Sequence, residues 1–176
     1  MKVGPGQPPP GPPKHLGCSA IEQGGPDHII VVEQRSGLEA GCWGGLLTLG
    51  AKVRGIAGVV ADGPLRDVDE AIAYEFPIYS RSLSSRTARG RVVELGTQVP
   101  VTIGAEQGGQ VTVQPGDYLL VDRSAVIVIA AADIARVLEA AEMIVAKEAA
   151  MAKAILSGTP IGAVMGGNYE HMLENH

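Results

Sequence analysis

"LLTLGAKVRGIAGVVADGPLRD", Leu46 to Asp67, decides how this chain folds. Its first part, Leu46–Gly55, carries an apolar face at helical spacing, Leu46, Leu49, Gly50 and Val53, and Gly55 stops it. "IAGVVA", Ile56–Ala61, is a short apolar run of the kind a buried strand needs. Upstream, "HIIVVE", His28–Glu33, holds four β-branched residues in a row and reads as another buried strand. Strand, helix and strand in that order form a parallel crossover unit. A helix of ~10 residues spans about 15 Å, and a returning strand of ~6 residues about 20 Å. The helix start and the second strand's end therefore meet at one edge of the sheet. A tight turn then delivers Arg66 and Asp67 to that edge, where open α/β sheets favour ligands.

The residue types at this edge suit one kind of ligand. Free amides at Leu46 and Leu47 point out of the helix start and favour an anion. Gly44 and Gly45 place no side chain in the way. Arg66 offers a planar fork for a carboxylate, and Asp67 a hard oxygen ligand for Mg²⁺ or a similar ion. Together they match a 2-oxo acid, whose carboxylate is gripped while its carbonyl oxygen is polarised. An ordinary Arg–Asp surface turn is the competing explanation.

The flanks complete an α/β chain. "GPGQPPPGPP" makes residues 1–14 a proline-rich flexible arm, followed by one domain over 15–176. "DEAIAYEF" suits a short helix ended by Pro77. "PIYSRS", "RVVEL", "VPVTIG" and "GGQVTVQPGDYLLVDRSAVIVIA" read as strands and turns, with "SSRTARGR" a polar loop. A long helix covers Ala132–Gly158, with Asp133 as N-cap and Gly158 as stop. Its apolar stripe includes Ile134, Val137, Leu138, Ala141, Ile144, Val145, Met151 and Ile155. Glu148 falls on that stripe, where it either reaches solvent at the edge or faces a site or a subunit boundary.

Composition narrows the function classes. A net charge of −5 and the lack of aromatics among Arg81, Arg86, Arg89 and Arg91 speak against a nucleic-acid partner. Cys18 and Cys42 read as reduced thiols of a cytoplasmic protein. The four histidines lack metal-pair spacing, and no apolar run reaches the ~18 residues of a membrane span.

"CWGGLLTLGAKVRGIAGVVADGPLRDVDE", Cys42–Glu70, resembles the signature region of the RraA-like family. "FPIYSRS", "VQPGDYLLVDRSAVIVIA" and "KEAAMAKAILSG" followed by "YEHMLE" resemble later blocks, so the likeness spans roughly residues 15 to 174. The resemblance implies a swivelling β/β/α sandwich, here N-terminally shortened, with Met1–Val3 as the remnant of a strand. It implies a trimer or hexamer with sites between subunits. The family includes regulators of ribonuclease E and metal-dependent 4-hydroxy-4-methyl-2-oxoglutarate aldolases. In the aldolases the positions of Arg66 and Asp67 bind the pyruvyl carboxylate and the metal, Mg²⁺ or Mn²⁺. Amides at Leu46 and Leu47 hold substrate, and a C-terminal-helix glutamate from a neighbouring subunit supports the metal; Glu148 matches it, with Glu142 second. The aldolase pattern has an aspartate twenty residues before the Arg-Asp pair, where this chain has Gly45. That departure suits decarboxylation of an oxaloacetate-like acid better than aldol cleavage. A non-catalytic regulator is the alternative.

Overall fold

Five strands form the central sheet: β1 (Lys2–Gly4), β2 (Ile29–Glu33), β3 (Gly58–Leu65), β4 (Ile78–Leu83) and β5 (Val93–Gly96). Their order is β4-β3-β2-β1-β5. β1 to β4 run parallel, and β5 pairs antiparallel with β1. The computed structural model describes residues 1–6, 14–105, 109–166 and 169. Helices α1 (Cys18–Gln23), α2 (Gly45–Val53) and α3 (Val68–Ala73) join these strands. Strands β6 (Val101–Ala105) and β7 (Gly109–Val113) pair antiparallel, and β8 (Tyr118–Val121) pairs with β9 (Val126–Ile129).

Alternation along β2 builds two cores. Val32 joins Val59, Ala61, Trp43, Ala51 and Ile56 on the helix side. Val31 joins Val101, Ile103 and Val113 on the hairpin side. Side chains of a strand point alternately to its two faces, so one apolar run serves both layers. Helices, sheet and hairpins stack as the expected β/β/α sandwich.

The chain divides into two compact units, Met1–Val128 and Ile129–His176. The second holds α4 (Ile134–Leu156) and α5 (Ile161–Val164). The start of the stretch read as an arm, residues 1–14, is ordered into the sheet. Lys2–Gly4 is a strand, and Val3 is in the core. Residues 7–13, most of the proline-rich stretch, lie outside the described residues.

Two local expectations are corrected. The buried positions of α2 are Gly45, Thr48 and Ala51, while Leu46 and Val53 are 87% and 81% exposed. Trp43, the largest fully buried side chain, explains the rotation. A buried indole N–H needs an acceptor, and Trp43 Nε1 finds one in Thr48 Oγ1 at 3.1 Å. Thr48 must then face the core, which turns Leu46 and Val53 outward. The turn expected at "DGP" is instead a bulge inside β3. Ala61 pairs with Ser80 and Pro64 with Ser82, so β3 carries one extra residue there. A Cβ on Gly63 would lie 2.8 Å from Gln34 Cβ, so glycine is required. Pro64, which cannot donate to the ladder, sits at the irregularity that tolerates it.

Candidate functional site

The start of α2 and the end of β3 are laced together. Cys42 N–H donates to Pro64 O at 2.9 Å, and Arg66 N–H to Trp43 O at 3.0 Å. The first bond within α2 runs from Thr48 N–H to Gly44 O at 3.0 Å. The amides of Gly45, Leu46 and Leu47 therefore have no partner inside the helix. Gly45 N–H donates to Asp67 Oδ2 at 2.9 Å. Arg66 Nε lies 3.7 Å from the same oxygen, and both side chains remain partly open to solvent. The crossover geometry thus brings together Gly44, Gly45, Leu46, Leu47, Arg66 and Asp67, the residues that sequence reasoning assigned to this edge.

Glycine is needed here for space. A Cβ on Gly44 would stand 2.8 Å from Asp67 Oδ2 and 3.1 Å from Arg66 Nε. A Cβ on Gly41 would stand 3.3 Å from Arg66 Cδ. Asp67 itself has φ 62° and ψ 40°, the left-handed conformation. Such a backbone costs an ordinary residue roughly 1–2 kcal/mol and is better tolerated by Asp. Asp67 precedes α3 but does not cap it with its side chain. The carboxylate turns back to α2.

One functional candidate escaped the sequence reading. A Cβ on Gly45 would lie 1.9 Å from Glu70 Oε2 and 2.5 Å from Glu70 Cδ. The position that lacks a carboxylate of its own is therefore occupied by the carboxylate of Glu70, reaching over from α3. The signal was the spacing "RDVDE". Glu70 is three residues beyond Asp67, in the first turn of α3.

Glu148 is an exposed residue of α4, in the second unit, so its charge meets no burial penalty in the chain alone. Glu142 is exposed as well. Among the described residues no three His, Cys, Asp or Glu side chains gather as a metal cage. Asp67 and Glu70 still fit Mg²⁺ or Mn²⁺ chemically. Mg²⁺ is typically held by one or two carboxylates together with substrate oxygens and water rather than by an all-protein cage. Three arginines of β4 and the following loop are engaged internally: Arg81 with Asp62, Arg86 with Glu39, and Arg91 with the Thr87 carbonyl. No helix among the described residues is long and apolar enough to cross a membrane.

The RraA-like family model, Aldolase/RraA, matches residues 10–128, and the chain belongs to that family. An uncharacterized protein of Methanocaldococcus jannaschii is 33% identical over 72% of this chain and 58% of its own length. A Halalkalibacterium halodurans protein, whose name provisionally calls it a 4-hydroxy-4-methyl-2-oxoglutarate aldolase, is 30% identical over 77% of this chain and 62% of its own. The chain thus spans less than two thirds of these curated relatives. A crystal structure of an uncharacterized Pseudomonas syringae protein superposes with a TM-score of 0.76 at 28% identity, covering 93% of this chain and 71% of that one. Streptomyces coelicolor RraAS2, described as an unusual member of the RNase ES inhibitor RraA family, shares the fold. Its TM-score is 0.66 at 23% identity, over 80% of this chain and 66% of its own. The family holds both aldolase-named and inhibitor-named proteins.

Proposed function

We propose that this chain is a divalent-metal-dependent carbon–carbon lyase acting on pyruvyl 2-oxo acids. It resembles a 4-hydroxy-4-methyl-2-oxoglutarate aldolase and also decarboxylates oxaloacetate. The observation that carries this reading is the meeting of Arg66, Asp67 and Glu70 at the open first turn of α2. The amides of Leu46 and Leu47 and the Arg66 guanidinium bind the substrate carboxylate. Asp67 would hold Mg²⁺ or Mn²⁺, with Glu148 of a neighbouring copy in support of its water shell. When bound, the ion stabilises the negative charge that develops on the carbonyl oxygen as the carbon–carbon bond breaks. Gly45 N–H keeps Asp67 Oδ2 in place, and the Glu70 carboxylate stands ready to exchange the proton that the pyruvyl carbon needs.

The exposed Leu46 and Val53 of α2 and Ile72 of α3 support a homo-oligomer, a trimer or hexamer. The two free cysteines suit a cytoplasmic protein. The non-catalytic regulator is favoured by one observation, the glycine at position 45. The deciding experiment measures pyruvate release from oxaloacetate and from a tertiary aldol, with Mg²⁺ or Mn²⁺ and with EDTA. Metal-dependent release, faster from oxaloacetate, is expected. Absence of release from every substrate at full metal loading sinks the lyase reading and leaves the regulator.

A further inference from the structure

We infer that Trp43 is a positioning residue for the Arg66–Asp67 pair, acting through Thr48 and the peptide group between Gly44 and Gly45. This rests on the metal-site reading above. Trp43 Nε1 donates to Thr48 Oγ1 at 3.1 Å, and that hydroxyl spends its one proton on Gly44 O at 3.0 Å. Trp43 and Thr48 are each 1% exposed, so water does not compete for these bonds. Gly44 O also accepts Thr48 N–H at 3.0 Å. Gly44 C=O and Gly45 N–H belong to one planar peptide unit. Pinning the carbonyl fixes the direction of the amide proton, which points at Asp67 Oδ2 2.9 Å away. Hydrogen bonds in series also polarise one another, so the indole strengthens the donor that Asp67 receives. The backbone carbonyl of Trp43 meanwhile accepts Arg66 N–H at 3.0 Å. One buried residue thus sets both members of the pair, the aspartate through its side chain and the arginine through its backbone.

Trp43 is the only tryptophan in the chain, so its emission reports on this linkage alone. The test titrates the full-length protein with Mn²⁺ alone. Tryptophan emission and the Mn²⁺ dissociation constant, read by electron paramagnetic resonance, are followed together in wild type, Thr48→Ser and Thr48→Val. Wild type and Thr48→Ser should bind within about twofold of each other and show the same emission change on loading, because the serine hydroxyl keeps the chain of bonds. Thr48→Val should bind about tenfold more weakly and lose the emission change, because its indole N–H is left without an acceptor. If Thr48→Val does not fold, Trp43→Phe replaces it, with resonance as the readout and the same tenfold weakening expected. Mn²⁺ binding by the folded valine or phenylalanine variant as tight as that of wild type overturns the inference, as does a wild type that binds no Mn²⁺. A wild type that binds Mn²⁺ with the expected variant pattern but cleaves no oxo acid supports the positioning role and sinks the lyase reading instead.

Discussion

The helices α2 and α4 are placed on different terms. Three of the nine residues of α2 are buried, and its start is tied to the end of β3 and the turn after it by the Cys42–Pro64, Trp43–Arg66 and Gly45–Asp67 bonds. None of the twenty-three residues of α4 is buried, although Leu138 and Val145 are apolar. A helix gains most of its stability in a protein from packing an apolar face. α2 obtains this from its own sheet, whereas Leu138 and Val145 of α4 remain exposed. The edge where Arg66, Asp67 and Glu70 meet the start of α2 is therefore a property of the single chain. In the function proposed above, whatever Glu148 adds would be a property of an assembly.

Substitution at Asp67 gives the largest expected effect and tests the self-contained half of this comparison. Asp67→Asn should abolish Mn²⁺ binding and lower the lyase rate by at least about a hundredfold, while the protein stays folded, because Asn also tolerates the left-handed backbone. Asp67→Ala should lose binding too, and in addition lose roughly 1–2 kcal/mol of stability at that backbone. Calorimetry with Mn²⁺ and thermal melts of both variants check this. Full Mn²⁺ affinity in Asp67→Asn would place the metal elsewhere.

Next in size is the exchange of one carboxylate for another. Glu70→Ala should slow turnover about 10²-fold, in line with general acid–base help. Gly45→Asp alone should bring no gain, since its Cβ meets the Glu70 carboxylate and sets two negative charges side by side. The double variant Gly45→Asp/Glu70→Ala should recover most of the loss, with aldol cleavage gaining relative to decarboxylation. Steady-state rates of the four proteins check it, and a double variant no better than Glu70→Ala would show that Glu70 does not stand in for the missing aspartate.

The crossover unit was legible in the sequence because β-branched runs and a glycine stop are local signals. "HIIVVE", the helix after Gly44 and the run to Ala61 all formed, and with them the shared edge that joins Leu46 and Leu47 to Arg66 and Asp67. The rotation of α2 was not legible. Apolar spacing favoured Leu46 and Val53, but the buried face is set by where the Trp43 indole finds a hydrogen-bond acceptor, a contact five residues away that periodicity does not encode. The β3 bulge was hidden because "DGP" is turn chemistry in most settings. Glu70 was missed because its role depends on α3 bringing it over an empty position on α2, a tertiary event. Of the two readings of Glu148 on its stripe, the chain alone shows the exposed one, and a role at a subunit boundary stays a matter for the assembly proposed above.

A smaller effect is expected from charge on α4. Val145→Glu places a carboxylate on a residue that is 63% exposed in the single chain, so a monomer should tolerate it. A subunit interface built on α4 should not, and the association constant should fall about tenfold or more through an unpaired buried charge. Sedimentation across a concentration series measures this. An unchanged assembly would remove that side of α4 from the interface.

The smallest effect asks whether the site region keeps its packing once the assembly is weakened. Cys42 adjoins Trp43 and donates its thiol to Pro64 O at 3.1 Å, so it reports on the lacing of β3 to the start of α2. Burial pushes this thiol up from the ordinary 9.0 to about 12. The folded protein therefore keeps the proton through a range in which the unfolded chain releases it. Because the unfolded state then binds fewer protons, stability falls as the pH rises above about 9, by on the order of 1 kcal/mol at pH 10. Comparing unfolding free energies at pH 8 and pH 10 for wild type and Cys42→Ala isolates this slope, since the tyrosines contribute equally to both. If α2 and β3 hold each other without help from a second copy, the same slope should persist in Val145→Glu protein diluted to monomer. In that state Cys42 should also stay unreactive towards a thiol reagent at pH 8, while the half-exposed Cys18 reacts. A Cys42 that becomes reactive on dissociation would show that the edge carrying Arg66 and Asp67 needs the assembly to stay closed, and the contrast between the two helices would then be one of degree.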